Sequence, residues 1–130
     1  MNALTRALRT TLAVTFVAAT LAACGDSEPA QTGSTGQPAD ATTIAVSATE
    51  YTYEVSATTA PAGAITFELT NDGMMEHDLV LEGDPGGNTE IIGSGETDSF
   101  TVTLEPGTYT LYCSVGNHRA QGMEFTFTVS

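Results

Sequence analysis

Cys113, His118 and Met123 stand in a C-x4-H-x4-M spacing within the segment CSVGNHRAQGM, and the only other histidine is His77. The residue types point to one chemistry. A thiolate is a soft donor that bonds strongly to copper and stabilises Cu(I). Imidazole serves Cu(I) and Cu(II) alike. A thioether is a weak donor that does not impose the square geometry Cu(II) prefers. One thiolate, two imidazoles and one thioether make a trigonal His2Cys plane with a long axial Met, in which both oxidation states fit nearly one geometry. Each residue also has a plainer reading. Free cysteine is often a small buried hydrophobe, a histidine at a strand end is often a polar cap, and methionine usually packs cores.

For this set to meet, the chain must bring His77 to the 113–123 segment, and strand parity does so. Side chains alternate between faces along a strand, so His77 shares a face with Leu79 and Leu81, and Cys113 shares one with Tyr109 and Leu111. The leucines mark both faces as core, which places His77 and Cys113 inward at strand ends. His118 and Met123 then lie on the loop leading to the last strand. The same two-residue period recurs at Ile44 and Val46; Tyr51, Tyr53 and Val55; Ile65, Phe67 and Leu69; Phe100, Val102 and Leu104; and Phe125, Phe127 and Val129. Turn signals separate these runs at Pro61-Ala62-Gly63, Asn71-Asp72-Gly73, Asp84 to Asn88 and Pro106-Gly107. The pattern predicts an all-β, antiparallel β-sandwich of about seven to eight strands over residues 44–130.

Residues 1–23 read as a secretory leader. Arg6 and Arg9 form the positive start, residues 10–20 are uncharged and mostly apolar, and the stretch is too short to span a bilayer. It ends in Leu21-Ala22-Ala23-Cys24, which resembles the lipobox of bacterial lipoproteins. That resemblance implies lipidation of Cys24 and an extracytoplasmic protein, periplasmic or at the cell surface, held to the membrane only by its N-terminal lipid. The other reading is ordinary cleavage that leaves Cys24 a thiol. With Cys24 lipidated, Cys113 has no disulfide partner, and a lone thiol in an exported protein asks for a role such as metal binding. Residues 24–43 hold no Val, Ile, Leu, Met or aromatic side chain, and read as a flexible linker.

The 130 residues carry 3 basic and 16 acidic side chains, a net charge of −13. Losing a leader with two of the three arginines would leave one arginine against 16 acids, a charge of −15. Such a surface excludes nucleic-acid binding as a main activity, because that needs clustered Lys and Arg. Glu76, Asp78 and the other carboxylates read as a solvated acidic surface, suited either to steering a basic redox partner such as a c-type cytochrome or to adaptation to salt. Met74 and Met75 read as an apolar rim to the site, or as extra thioethers for Cu(I).

On His77 with its NDGMMEHDLV context and on the 113–123 segment, residues 44–130 resemble the cupredoxin family of single-domain type 1, or blue, copper proteins such as plastocyanin, azurin and auracyanin. The resemblance implies a Greek-key sandwich, one copper held by His77, Cys113, His118 and Met123, and a one-electron carrier. It also implies a solvent-facing edge of His118 as the electron port. The chain departs from the family pattern in three places. Four residues separate Cys113 from His118 where plastocyanin has two, Gly116-Asn117 precedes His118 where relatives often have Pro-Gly, and Asp78 follows His77 where many relatives have Asn.

Three functions compete: an electron carrier, a copper chaperone or sequestering lipoprotein on the same fold, and a metal-free immunoglobulin-like module. An enzyme is not expected. A multicopper oxidase site needs more than two histidines, and no nucleophile pairs with a spare base for hydrolysis.

Overall fold

In the computed structural model, residues 40–130 are described. The leader, Cys24 and the linker through residue 39 lie outside them. Apolar residues at every second position need a core on one face and water on the other, and the chain meets this with two sheets. The first has the order β2–β1–β4–β7, with β1 at Thr42–Thr49, β2 at Thr52–Val55, β4 at Gly63–Asn71 and β7 at Thr97–Leu104. The second has the order β3–β9–β8–β5–β6, with β3 at Thr59–Ala60, β5 at Val80–Leu81, β6 at Gly87–Asn88, β8 at Gly107–Tyr112 and β9 at Glu124–Val129.

The all-β sandwich is as expected, with two differences. There are nine strands among the described residues, because β3, β5 and β6 are two-residue pairings too short to show a period. The sheets are also not purely antiparallel: β1 pairs parallel with β4, and β3 with β9. The hairpin β1–β2 and the return of the chain through β3 bring β4 back alongside β1 in the same direction, an arrangement that alternation alone does not encode.

Inward side chains of both sheets form one core. Ile44, Val46, Ile65, Phe67, Leu69 and Leu104 come from the first sheet, and Leu81, Leu111, Phe127 and Val129 from the second. Phe67 meets Phe127 edge-to-face across the sandwich, with centroids 5.2 Å apart. That geometry suits the ring quadrupoles. The strand parity carries through to the ends. Ile65, Phe67, Leu69 and Asn71 are buried along β4, and Leu111 and then Cys113 along and just beyond β8.

Candidate metal centre

Cys113 is the first residue beyond β8, and its N–H donates to the Met123 carbonyl at 3.0 Å, so the strand pair β8–β9 ends on two of the expected donors. Between them the loop folds on itself. His118 N–H donates to Val115 O, and the His118 carbonyl accepts from Gln121 N and Met123 N at 3.0 and 3.1 Å. A single 3-10 turn, Arg119–Gln121, ends at Gly122, whose φ of 101° is the left-handed conformation that glycine adopts without a Cβ clash. That reversal carries the chain back so that Met123 faces the core. Arg119 fastens the loop from outside. Its guanidinium forks onto Glu82 at 3.0 and 3.0 Å, donates to Glu124 at 2.8 Å, and lies 4.0 Å over the Tyr112 ring. The fourth residue, His77, arrives from the β4–β5 connection, where it exchanges two backbone hydrogen bonds with Ile92.

These elements bring Cys113, His77 and His118 together. The Cys113 Sγ stands 3.5 Å from His118 Nδ1 and 3.9 Å from His77 Nδ1, and one ligand atom from each of the three lies within 4.8 Å of the others. Two donors bonded to a shared first-row ion at about 2.0 Å (nitrogen) and 2.3 Å (thiolate), 120° apart, stand ~3.7 Å from each other. The observed spacings bracket that value, so the donor set fits a trigonal metal site. Cys113, His77, His118 and Met123 are all buried.

Electrostatics prepare two of these groups differently. Burial, and then the neighbouring His118, push the His77 pKa below its ordinary 6.5, which keeps the imidazole neutral with a lone pair to give. Burial pushes the Cys113 thiol up from its ordinary 9.0, so the metal-free protein carries a thiol there and a metal must displace its proton.

Two expectations are corrected. His118 does not present an edge to solvent: it is only 3% exposed, and the Tyr51 ring packs edge-on against it with centroids 5.3 Å apart. Asp78 is not part of a solvated surface. It is 4% exposed, and its carboxylate accepts hydrogen bonds from Ser114 N–H (2.7 Å) and the Ser114 hydroxyl. Asp78 thereby ties the His77 segment to the residue after Cys113, and its own carbonyl accepts from the Tyr53 hydroxyl. Glu76 is exposed, as expected, and Met74 and Met75 are 86% and 43% exposed, at the edge of the site rather than in it.

Other residues at the site escaped the sequence reading. Asn71, read only as a turn residue, is fully buried. Its amide donates to Met75 O and Ile92 O at 2.7 and 2.9 Å, and its side-chain oxygen accepts from Gly73 N–H at 2.9 Å, which fixes the loop leading to His77. Its parity with Ile65, Phe67 and Leu69 was the available signal. Glu50 and Tyr51 form the two-residue turn between β1 and β2 and reach the two histidines from the side: Glu50 lies by His77, and Tyr51 lies against His118.

Residues 10–123 match the sequence profile of the cupredoxin-like domain family. No curated protein sequence matches the chain. Among solved structures, the chain is similar to dithionite-reduced auracyanin from the photosynthetic bacterium Roseiflexus castenholzii, at 25% identity and a TM-score of 0.61, over 69% of this chain and 98% of that one. Auracyanin B aligns at 23% identity with a TM-score of 0.60, over 75% and 93% of the two chains. Auracyanin A, described as a "blue" copper protein from the green thermophilic photosynthetic bacterium Chloroflexus aurantiacus, aligns at 19% identity with a TM-score of 0.56, over 68% and 98%.

Proposed function

The chain belongs to the cupredoxin-like family, and we propose that it is a blue copper protein that carries single electrons outside the cytoplasm. The observation that carries this reading is the buried triad of one cysteine sulfur and two imidazole Nδ1 atoms at the spacing of a shared ion. Copper, when bound, supplies the one-electron couple between Cu(I) and Cu(II). The chain supplies the rest. His77, Cys113 and His118 would hold the ion, and Met123 would add a weak thioether donor. The hydrogen-bonded 113–123 loop and the Asn71 and Asp78 ties keep those donors in place when the charge of the site changes. A frame that does not rearrange favours rapid exchange. Burial of all four residues excludes water and suits retention of the ion, which favours a carrier over a chaperone that hands copper on.

Lipidation at Cys24 would tether the domain to the outer face of a bacterial membrane. The partner is a basic redox protein of the c-type cytochrome kind. In support, Arg119 is neutralised by Glu82 and Glu124, which leaves a strongly acidic chain with no lysine.

Adding Cu(II) to the full chain tests the proposal. The expected result is an intense blue thiolate-to-copper absorption at one copper per chain, reversible one-electron cycling, and loss of the colour in Cys113→Ser. A colourless copper complex would overturn the blue-copper reading, and rapid loss of Cu(I) to a competing chelator would favour the chaperone.

A further inference from the structure

His77 Nε2 is the one buried side-chain nitrogen or oxygen among the described residues without a hydrogen-bond partner. The position is costly, because the ring is completely buried and its Nδ1 faces Cys113. An imidazole that gives its Nδ1 lone pair to a metal carries its proton on Nε2, which makes that atom a donor in need of an acceptor. The Glu50 carboxylate oxygen Oε1 stands 3.9 Å away, just outside hydrogen-bonding range.

The local structure holds that oxygen there. Glu50 Oε1 accepts from Met74 N–H at 2.5 Å and from Met75 N–H at 2.8 Å, so the carboxylate is fixed on the loop that leads to His77 although its side chain is 36% exposed. Those two backbone bonds, Met75 first, hold the Glu50 carboxyl below its ordinary range. Gly73 makes the approach possible. A Cβ there would stand 2.7 Å from Glu50 Oε1 and 3.2 Å from His77 Nε2, wedged between the two groups. Asn71 in turn fixes Gly73 by accepting its N–H.

We propose that Glu50 is a positioning residue for the ligand His77: its carboxylate charge, held 3.9 Å from Nε2, attracts the Nε2–H electrostatically, which favours the tautomer with Nδ1 open toward Cys113 and strengthens the imidazole as a donor to the oxidised ion. The inference rests on the copper reading for its redox half and on the metal-free chain for its tautomer half. Outer-shell carboxylate partners of ligating histidines act in this way, and their loss typically costs about 10–100-fold in metal affinity.

Two measurements on the full chain test it. In the metal-free protein, 15N NMR of the histidine side chains should show His77 as a single Nε2–H tautomer, and Glu50→Ala should give a mixture of tautomers. In the copper-loaded protein, Glu50→Gln keeps a carbonyl acceptor for the Met74 and Met75 N–H groups but removes the charge. It should weaken Cu(II) binding about tenfold relative to Cu(I), an upward shift in potential of about 59 mV for one electron. Gly73→Ala keeps the Glu50 charge but displaces its carboxylate from beside the His77 ring, and should shift the potential in the same direction. An unchanged potential in Glu50→Gln would overturn the proposal and reduce Glu50 to a brace for the Met74–Met75 turn. So would an unchanged tautomer in Glu50→Ala. If the wild type failed to bind copper, the blue-copper reading would fall while the tautomer measurement still decided the Glu50–His77 contact.

Discussion

Tyr51 lies edge-on against His118, with ring planes at 79° and centroids 5.3 Å apart. The contact packs an aromatic ring against the histidine that is the expected electron port, and that histidine is only 3% exposed. Tyr51 is itself unusual, with a φ of 67° in the two-residue turn between β1 and β2, a left-handed conformation that a bulky residue adopts at a cost.

That geometry separates stability from reactivity. Tyr51→Gly removes an edge-to-face pair worth about 0.5–1.5 kcal/mol but relieves a backbone strain of about 1–2 kcal/mol. Stability should therefore change by less than about 1 kcal/mol in chemical denaturation, while the bimolecular electron-exchange rate with a small redox reagent rises several-fold. An unchanged rate would mean that electrons leave by another edge.

Asp78 joins the segments that carry His77 and Cys113 through two hydrogen bonds from Ser114. Asp78→Ala leaves both Ser114 donors without that acceptor, but Ser114 is exposed and its donors can turn to water, so the cost is the net value of the lost bonds, about 0.5–1.5 kcal/mol each. We expect a stability loss of about 1–3 kcal/mol in denaturant titrations together with faster copper loss. Asp78→Asn, which keeps an acceptor oxygen, should recover most of the stability. Equal losses in the two variants would assign the effect to the charge and not to the hydrogen bonds.

How far the site could be read in advance followed from the range of the interactions involved. Cys113, His118 and Met123 were legible because their chemistry is local in sequence, and His77 because its parity with Leu79 and Leu81 fixed its direction. Asp78 was misjudged because an isolated carboxylate prefers water, and only the Ser114 donors 36 residues away make its burial tolerable. Glu50 and Tyr51 were invisible for a related reason. Both sit in a hairpin turn of the other sheet, and nothing in their own sequence context points to histidines 27 and 67 residues away. The strands followed from alternation. The parallel pairing of β1 with β4 did not, because the period of a strand says which face is buried and not which neighbour it pairs with.

The opposite pKa displacements of Cys113 and His77 give copper uptake a defined proton balance. Burial raises the thiol, so the metal-free protein holds that proton through the neutral range, while burial lowers His77, which has already lost its proton there. A metal takes the thiolate, so uptake expels the Cys113 proton. From about pH 7 to about pH 9, apparent copper affinity should then rise about tenfold per pH unit. Calorimetry in buffers of different ionisation enthalpy should count one proton released per copper in the wild type. A count of zero would show that the thiolate is already formed in the metal-free chain.

Met123 tests the division of labour within the donor set. It is completely buried, and its backbone is bonded to both Cys113 and His118, so its place in the frame is fixed whatever its sulfur does. Leucine nearly conserves its volume, and such buried swaps cost less than about 1.5 kcal/mol. An uncharged thioether would be the weakest donor of the four, and losing any donor destabilises the more highly charged Cu(II) more than Cu(I). Met123→Leu should therefore keep one copper per chain and the blue absorption, with a higher reduction potential. His118→Gly removes a planar donor, and should change the spectrum and admit added imidazole to the ion. The comparison is made by recording spectra and potentials of both variants beside Cys113→Ser, which should lose the colour altogether. If Met123→Leu lost copper as completely as Cys113→Ser, the axial assignment would fail. The thioether would then have to come from Met75, whose Sδ lies 3.9 Å from the Tyr51 hydroxyl at the rim of the site, or from Met74 beside it.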